Sequence, residues 1–327
     1  LKVLAPIIST DEGELLRHAL PTVLMQPDVE VVVFDNASKD GTAAIAEELG
    51  VRCVRLTERQ SYSRAMNRAL SSIGGDVILF MQPDCFLGPG FVEAACRHFD
   101  DPRVGSVAPK LLRTEGPDEK QRLGVIDTAG MVVDRRRKNG LVGHGQPGSA
   151  FGKVAEAFGA DGAAALYRRR TLEDAALDGQ VFDEDLVAVR DGVPADWGVD
   201  ADLAWRTRLL GWRCIYEPSA VGYHVRRYSP TTRARVAGWQ RTVQFRNRYL
   251  MIVKNDPPLS LLAGLPWVLP YEFAALGFAL LREPGLLGGY RGATALYGRM
   301  RGKRRTLQRR RRERDAPPIP YGLVPPA

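Results

Sequence analysis

From residue 2 to about 101 the chain alternates between two periodicities, and this limits its fold more than any other feature. "KVLAPIIS", "EVVVFD", "VRCVRLT" and "DVILFM" read as strands. "DEGELLRHALPTVLMQ", "KDGTAAIAEELG", "SYSRAMNRALSSIG" and "GFVEAACRHFDD" carry helical apolar faces. Strands separated by helices of about 10 to 15 residues predict βαβ units, hence an α/β chain with a parallel, doubly wound sheet. Ligands of such sheets sit beyond the carboxyl ends of the strands. The polar residues to question are therefore Asp35, which follows "EVVVF", and Asp84, which follows "DVILFM".

The pattern is less regular from about 103 to 180. "LAWRTRLLGW" (203–212) again reads as a helix, introduced by Asp200 and Asp202. Beyond Tyr228 the character changes. Residues 231–250 read as a long Arg-rich amphipathic helix, and 259–281 are almost wholly apolar. Charge is equally uneven. The chain carries +8, yet residues 299–314 alone carry +9, so the body is nearly neutral and the basicity is local. Such a run suits a solvated helix end, a nucleic-acid arm or a patch for anionic lipid.

Length and composition admit a globular chain of one large or two ordinary domains. Cys53, Cys85, Cys96 and Cys214 show no zinc or redox spacing and read as free thiols of a reducing compartment. The chain opens on the strand-like Leu1-Lys2-Val3 without a basic and apolar leader, which argues against a secretory signal.

Each candidate residue has a chemical reading and a plain one. Asp35 can accept hydrogen bonds from a base or ribose, or close an Asx turn before the next helix. Asp84 can hold Mg²⁺ or Mn²⁺ through oxygen and bridge to a diphosphate, or be a turn residue after proline. His224 is a second ligand or a buried histidine. Asp200 and Asp202 start a helix, where acids are favoured as caps; a general base there would stay ionised. No Gly-x-Gly-x-x-Gly follows the first strand and no Walker loop is present, which counts against dinucleotide oxidoreductases and P-loop enzymes.

Taken together, these stretches resemble family 2 glycosyltransferases with the GT-A fold. "VVVFDNASKDGT" looks like their "VVDNxSxDGT", and "SYSRAMNRAL" like "GFAxAxNxGI". "LFMQPDC" is similar to the "LLNPDx" form of the metal-binding motif in the rhamnosyltransferase-like branch. "DGAAALYRRR" followed by "FDED" resembles "GAxxLxRR…FDE". "VDADLAWRTRLLGWRCIYEPSAVGYH" resembles "EDVDLxxRLxxxGWRxxYxPxAxxxH". The five stretches occur in the family's order over residues 1–228.

The resemblance implies a Rossmann-like mixed sheet flanked by helices. It implies a nucleotide-sugar-binding half over 1–115 and an acceptor and catalytic half over 116–230. Asp35, Arg64, Asn67 and Asp84 would bind the nucleotide; Asp84 and His224 would hold Mg²⁺ or Mn²⁺. Gly162, Ala163 and Trp197 would line the sugar or acceptor site. Asp200 would be the base of an inverting transfer from a nucleoside-diphosphate sugar, dTDP-rhamnose or a UDP-sugar, to a lipid-linked or polysaccharide acceptor. Two departures stand out. The glutamate expected before Asp200 is Val199, which leaves Asp202 as an alternative base. The stretch 185–200 is longer than the family pattern and reads as a lid or as inert surface. In the resembled branch an amide, here Gln82, stands in place of the first acid of the metal motif, which implies weak metal binding without nucleotide, or metal independence.

The apolar run 259–281 exceeds the ~20 residues that span a bilayer, but it contains Pro266, Pro270 and Glu272. The expectation is a helical region, 231–314, lying on the cytoplasmic face of the cell membrane, its apolar run and basic end (259–314) meeting anionic lipid. Buried packing, a true span and self-association are the alternatives. Residues 315–327 are expected to be a flexible tail. No nucleic acid is expected. Two other classes compete: a sugar-nucleotide nucleotidyltransferase, which "PIISTDEGE" disfavours for want of a glycine-rich basic loop, and a non-catalytic protein tethered by its basic run.

Overall fold

Seven consecutive buried residues, Val3–Ser9, make the first strand, β1, and require cover on both faces. α1 (Gly13–Leu24), β2 (Val29–Asp35), α2 (Thr42–Glu48), β3 (Arg52–Arg55), α3 (Tyr62–Ser72) and β4 (Val77–Met81) follow. β1 pairs in parallel with β2 and β4, and β2 with β3, so the alternation read in the sequence yields parallel pairing here. Side chains alternate between two cores: Leu4, Ile8, Phe34 and Phe80 enter one, Ala5, Ile7, Leu79 and Met81 the other.

The chain continues through β5 (Cys85–Leu87), α4 (Phe91–Cys96), β6 (Val104–Thr114), β7 (Arg122–Thr128), β8 (Met131–Val133), β9 (Asn139–Leu141), β10 (Ala155–Ala157), β11 (Ala164–Arg168) and α5 (Arg169–Ala175). A hairpin of β12 (Ala188–Arg190) and β13 (Val193–Ala195) precedes α6 (Val199–Leu209) and β14 (Arg213–His224). α7 (Gly238–Asn255), α8 (Pro258–Leu281) and α9 (Leu287–Glu313) complete the main elements. The computed structural model describes residues 1–226 and 230–327; the expected end of the motif-bearing stretch at 228 lies outside them.

The sheet runs β10-β14-β6-β11-β4-β1-β2-β3, with β5 on β14 and β7 on β6. β11 is antiparallel to both β4 and β6, so the sheet is mixed; the all-parallel sheet suggested by the alternation alone is corrected. All four cysteines are free thiols.

Three expectations for the last third change. The helix expected over 231–250 is α7, which starts only at Gly238 and sends Leu250 and Met251 into the main core. The basic run is no free arm: α9 buries Met300 and Leu307, Lys303 pairs with Asp183 and Asp185, and Arg310 donates to the carbonyls of Asp174 and Ala176. Nor is 315–327 a loose end. Tyr321 stacks on Phe158, meets Trp205 edge-on and donates to Asp256 Oδ1 (2.7 Å), while Gly322 N–H donates to the Val133 carbonyl.

The run 259–281 does fold as one helix, α8, with Pro266 and Pro270 inside it. Only Gly264, Val268 and Ala279 are buried, whereas Leu259, Leu262, Phe273, Leu280 and Leu281 are more than half exposed. This excludes packing as an ordinary core helix. Glu272 faces inward, where Arg248 and Tyr249 both donate to it (2.6 Å).

Candidate active site

β4 ends at Met81, and the Gln82 N–H donates to the Ala163 carbonyl (2.9 Å), which carries the β4–β11 ladder one residue further. Pro83 then turns the chain and sets the buried Asp84 in the wall of a cleft. β5 runs antiparallel to β14 with Cys85 opposite His224, and the Val225 N–H donates to the Asp84 carbonyl (3.0 Å). This register places His224 Nε2 3.3 Å from Asp84 Oδ1, within ion-pair reach but outside hydrogen-bond geometry. Asp84 and His224, 140 residues apart in sequence, are thus brought together as expected.

A line of alternating charges extends from this pair. His224 Nδ1 meets Asp127 Oδ2 (2.9 Å), Arg226 Nε donates to Asp127 Oδ1 (2.7 Å), and Arg226 Nη2 donates to Asp161 Oδ2 (3.0 Å). Burial works against charge on His224, but Asp84 and Asp127 outweigh it and raise the imidazolium to about 9. Burial would likewise raise Asp127; its hydrogen bond from His224 and the charge of Arg226 hold it well below the usual carboxylate range. Three carboxylates against two bases leave the line with an excess of negative charge.

Asp200 stands in the first turn of α6, after Gly198 at φ +76°. Its Oδ1 accepts from the Ala201 N–H (2.8 Å), while Oδ2 has only a long contact with the Gly162 N–H (3.5 Å). Burial and then the charge of Asp161 push its carboxyl up to about 6. Gly162 lies directly against Asp200: a Cβ there would stand in ordinary van der Waals contact, 3.5 Å from Asp200 Cβ.

Asp84 and Asp200 open onto one cleft of about 510 Å³. Its other lining includes Thr10, Asn36, Arg59, Gln60, Tyr62, Gln82, Gly162, Phe182 and Trp197. Asn36 and Gln60 clamp that wall reciprocally: Asn36 Nδ2 donates to the Gln60 carbonyl (2.9 Å) and the Gln60 N–H donates to Asn36 Oδ1 (2.8 Å). Three lining residues hold a buried oxygen without a protein hydrogen-bond partner among the described residues: Gln60 Oε1, Tyr62 Oη and Asp84 Oδ1. Unpaired buried oxygens are costly, and three in one cleft mark it as built for a polar ligand.

Several expected site residues stand elsewhere. Asp35 lies behind the cleft wall, its Oδ1 accepting from the Ser38 N–H (2.9 Å) in an Asx turn; Asn36 lines the cleft instead. Arg64 is on the exposed face of α3, outside the cleft. The Asn67 amide is committed to the 182–184 segment: it donates to the Phe182 carbonyl (2.8 Å) and Glu184 Oε1 (3.1 Å) and accepts from the Phe182 N–H (2.8 Å). Ala163 is buried in the sheet beside the cleft. Asp202 is corrected as a base: it is fully buried and paired with Arg206 and Lys254, so no substrate hydroxyl reaches it. Asp127, Asp161 and Arg226 were not legible as a group, because each comes from a different element. A lone acid inside the strand-like "GVIDTAG" was the available signal for Asp127.

The long stretch 185–200 is the β12–β13 hairpin, closed by Asp191 and Gly192, both at positive φ, as a two-residue hairpin turn requires. Its root is tied down. Asp196 accepts from the main-chain N–H groups of Tyr62 and Ser63 (3.0 Å each) at the start of α3, and Asn247 Nδ2 donates to the carbonyls of Leu186 (2.6 Å) and Trp197 (2.8 Å).

The cleft suits a divalent cation only with help from its ligand. Among the described residues no cluster of three or more His, Cys, Asp or Glu side chains converges for a metal. Asp84 Oδ1 and His224 Nε2, however, are spaced much as neighbouring ligands of one ion, which stand ~3 Å apart at metal–ligand distances of ~2.1 Å. His224 is backed by the buried Asp127, as metal-binding histidines commonly are by a carboxylate.

A family model described as Glycosyl transferase family 2 matches residues 7–174, just over half of the chain. An uncharacterized protein of Mycobacterium tuberculosis is 29% identical over 88% of this chain and 87% of its own length. The pre-mycofactocin glycosyltransferase of Mycobacterium tuberculosis is 26% identical over 60% of this chain, which spans only 37% of that protein. Among solved structures, Staphylococcus aureus TarS 1–349 in complex with UDP-GlcNAc superposes with a TM-score of 0.61 at 17% identity, covering 96% of this chain and 88% of TarS 1–349. A Pyrobaculum calidifontis mannosyltransferase in complex with GDP-Man and Mn²⁺ gives a TM-score of 0.54 at 19% identity, over 96% of this chain and 86% of that one.

Proposed function

Because the chain belongs to glycosyl transferase family 2, and so is a glycosyltransferase with the GT-A fold, we propose that it inverts the anomeric carbon of a nucleoside-diphosphate sugar as it transfers that sugar to an acceptor hydroxyl. The observation that carries this reading is the convergence of Asp84, whose Oδ1 faces His224 and the cleft, and Asp200, with its raised carboxyl, on one cleft. The donor is of the dTDP-rhamnose or UDP-sugar class, and the acceptor is lipid-linked or a polysaccharide. Membership of glycosyl transferase family 2 argues against the nucleotidyltransferase and non-catalytic readings.

The nucleoside lies along Thr10, Asn36, Arg59 and Gln60, with Asp35 shaping the turn behind them. Gln60 Oε1 is the free acceptor for a base or ribose donor. Asp84 and His224 are the residues that would hold Mg²⁺ or Mn²⁺. When bound there, such an ion would supply charge stabilisation to the leaving diphosphate. Asp200 accepts the proton of the acceptor hydroxyl while that oxygen forms a bond to the anomeric carbon. The bond from that carbon to phosphate oxygen breaks, and its electron pair leaves with the nucleoside diphosphate. Turnover therefore falls as pH drops through about 6, where Asp200 takes up its proton. Trp197 and Gly162 border the acceptor side.

A thermal-shift titration tests the nucleotide half. Wild type is stabilised by UDP or dTDP and their sugar conjugates, more strongly with Mn²⁺, and Asp84→Asn abolishes the Mn²⁺ increment. An increment retained in Asp84→Asn would sink the assignment of Asp84.

We further propose that α8 seats the enzyme on the cytoplasmic face of an anionic membrane. Its exposed apolar residues support this, as do the arginines beside them: Arg135 over Trp267, Arg136 over Tyr271 and Arg233 over Phe278. The helix is long and apolar enough to cross a bilayer by length and composition, but Glu272 binds Arg248 and Tyr249 on its inner side, which favours lying flat. Truncating 299–314 cannot test this, because it removes the buried Met300, Lys303 and Leu307. The double variant Phe273→Glu, Leu280→Glu changes only exposed positions. In flotation with phosphatidylglycerol vesicles it should lose most binding at unchanged Tm. Wild-type protein that never floats would instead make this a soluble enzyme.

A further inference from the structure

We propose that the Tyr62 hydroxyl is a sugar-binding group of the cleft, donating a hydrogen bond to a hydroxyl oxygen of the sugar held next to Asp200; this rests on the transfer reaction proposed above. Tyr62 opens α3, and its position is fixed from two sides. Its main-chain N–H donates to Asp196 Oδ2 (3.0 Å), and its ring meets Phe182 edge-on at 5.7 Å between centroids. The ring lines the cleft, yet Oη is buried and has no partner among the described residues. A phenylalanine would fill the same place without leaving a buried hydroxyl unpaired, so packing does not account for the oxygen.

The surroundings define what the hydroxyl can bind. Burial, and then the charges of Asp200, Asp196 and Asp161, raise its pKa and keep the proton on oxygen, so the group is a donor at working pH. Those same carboxylates disfavour an anion beside it. Phosphate is therefore the wrong ligand, and a neutral hydroxyl is the right one. Phe182, Pro194 and Trp197 add apolar surface on the same cleft, which suits the C–H face of a sugar ring. Two sugars pass this point, the one transferred and the one that accepts it.

Tyr62→Phe separates the sources. Its affinity for free UDP and dTDP stays at the wild-type value, and its Tm equals or exceeds wild type because an unpaired buried hydroxyl is gone. If the transferred sugar is the ligand, affinity for UDP-GlcNAc, UDP-glucose or dTDP-rhamnose, whichever wild type binds, falls by roughly 2- to 12-fold, the range of one net hydrogen bond. If the accepting sugar is the ligand, donor affinity and slow donor hydrolysis hold. The stimulation of nucleotide release by a panel of octyl glycosides then needs roughly 2- to 12-fold more glycoside. Unchanged values in both arms would overturn the proposal, as would a lower Tm with uniformly weaker binding, which marks a packing role. Failure of wild type to bind any nucleotide sugar would refute the underlying reaction, and this proposal with it.

Discussion

Asp200→Asn lowers turnover by about 10²–10⁴-fold, the usual contribution of a positioned base, while leaving nucleotide binding intact and the fold at least as stable. Both halves follow from one environment. Burial and the nearby Asp161 raise the carboxyl to about 6 from an ordinary 3.8. The folded protein therefore binds a proton here more readily than the unfolded chain, so ionised Asp200 opposes folding. That penalty is absent below the unfolded value, grows between about 4 and 6, and is complete above 6. The amide removes it. At pH 8 Asp200→Asn gains on the order of 1 kcal/mol, less than the full shift implies because the residue is open in part to the cleft; at pH 3.5 the two proteins melt alike. Nucleotide release with a competent acceptor measures the first effect, and melting curves at the two pH values the second. An active Asp200→Asn enzyme would move the base elsewhere.

Lys254→Ala costs about 3–5 kcal/mol of folding stability. Lys254 is fully buried and pairs with both Asp183 and Asp202. Asp202 also binds Arg206 and accepts from Asn255 Nδ2 (2.8 Å), and Asp183 also binds Lys303. Losing the ammonium leaves two buried carboxylates facing each other with too little compensation, besides a cavity. Burial alone would raise Asp183; Lys254 and then Lys303 hold it well below the usual range. In wild type that contribution is present above the unfolded pKa and is lost as acid protonates the group. Urea unfolding at neutral pH measures the deficit. Adding Asp183→Asn to Lys254→Ala should recover part of it, and a cost below 1 kcal/mol would show that water reaches the cluster.

How far the sequence could be read follows from range. β1 to α3 were legible because each element declares itself through its own period and its own turn. Asp84 and Asp200 were legible for a related reason: a strand end and a helix start are local features. Arg64 and Asn67 were misplaced because a helix period tells which residues share a face, not which loop arrives to meet it; the 182–184 segment takes the Asn67 amide. Asp202 sits two residues from Asp200 and looks equivalent on paper. One partner from α7, Lys254, makes it structural. The basic run misled for the opposite reason. Ten cations in sixteen positions read as a solvated end, a nucleic-acid arm or a lipid patch, yet Arg314, Lys303 and Arg299 pair with Asp174, Asp183 and Asp185, more than a hundred residues earlier.

The docking of α9 and Tyr321 also orders events during synthesis. Helix α6 carries Asp200 on its cleft side and, on its inner side, Asp202 and Trp205, which rest on Lys254 and Tyr321. A ribosome that has finished every residue of the cleft still lacks the cation at 303 and the ring at 321. Domains fold as units while the chain emerges, so this cleft takes its final form only once residue 321 has been made, and a nascent chain that holds every cleft residue but not 303 and 321 lacks the support behind α6.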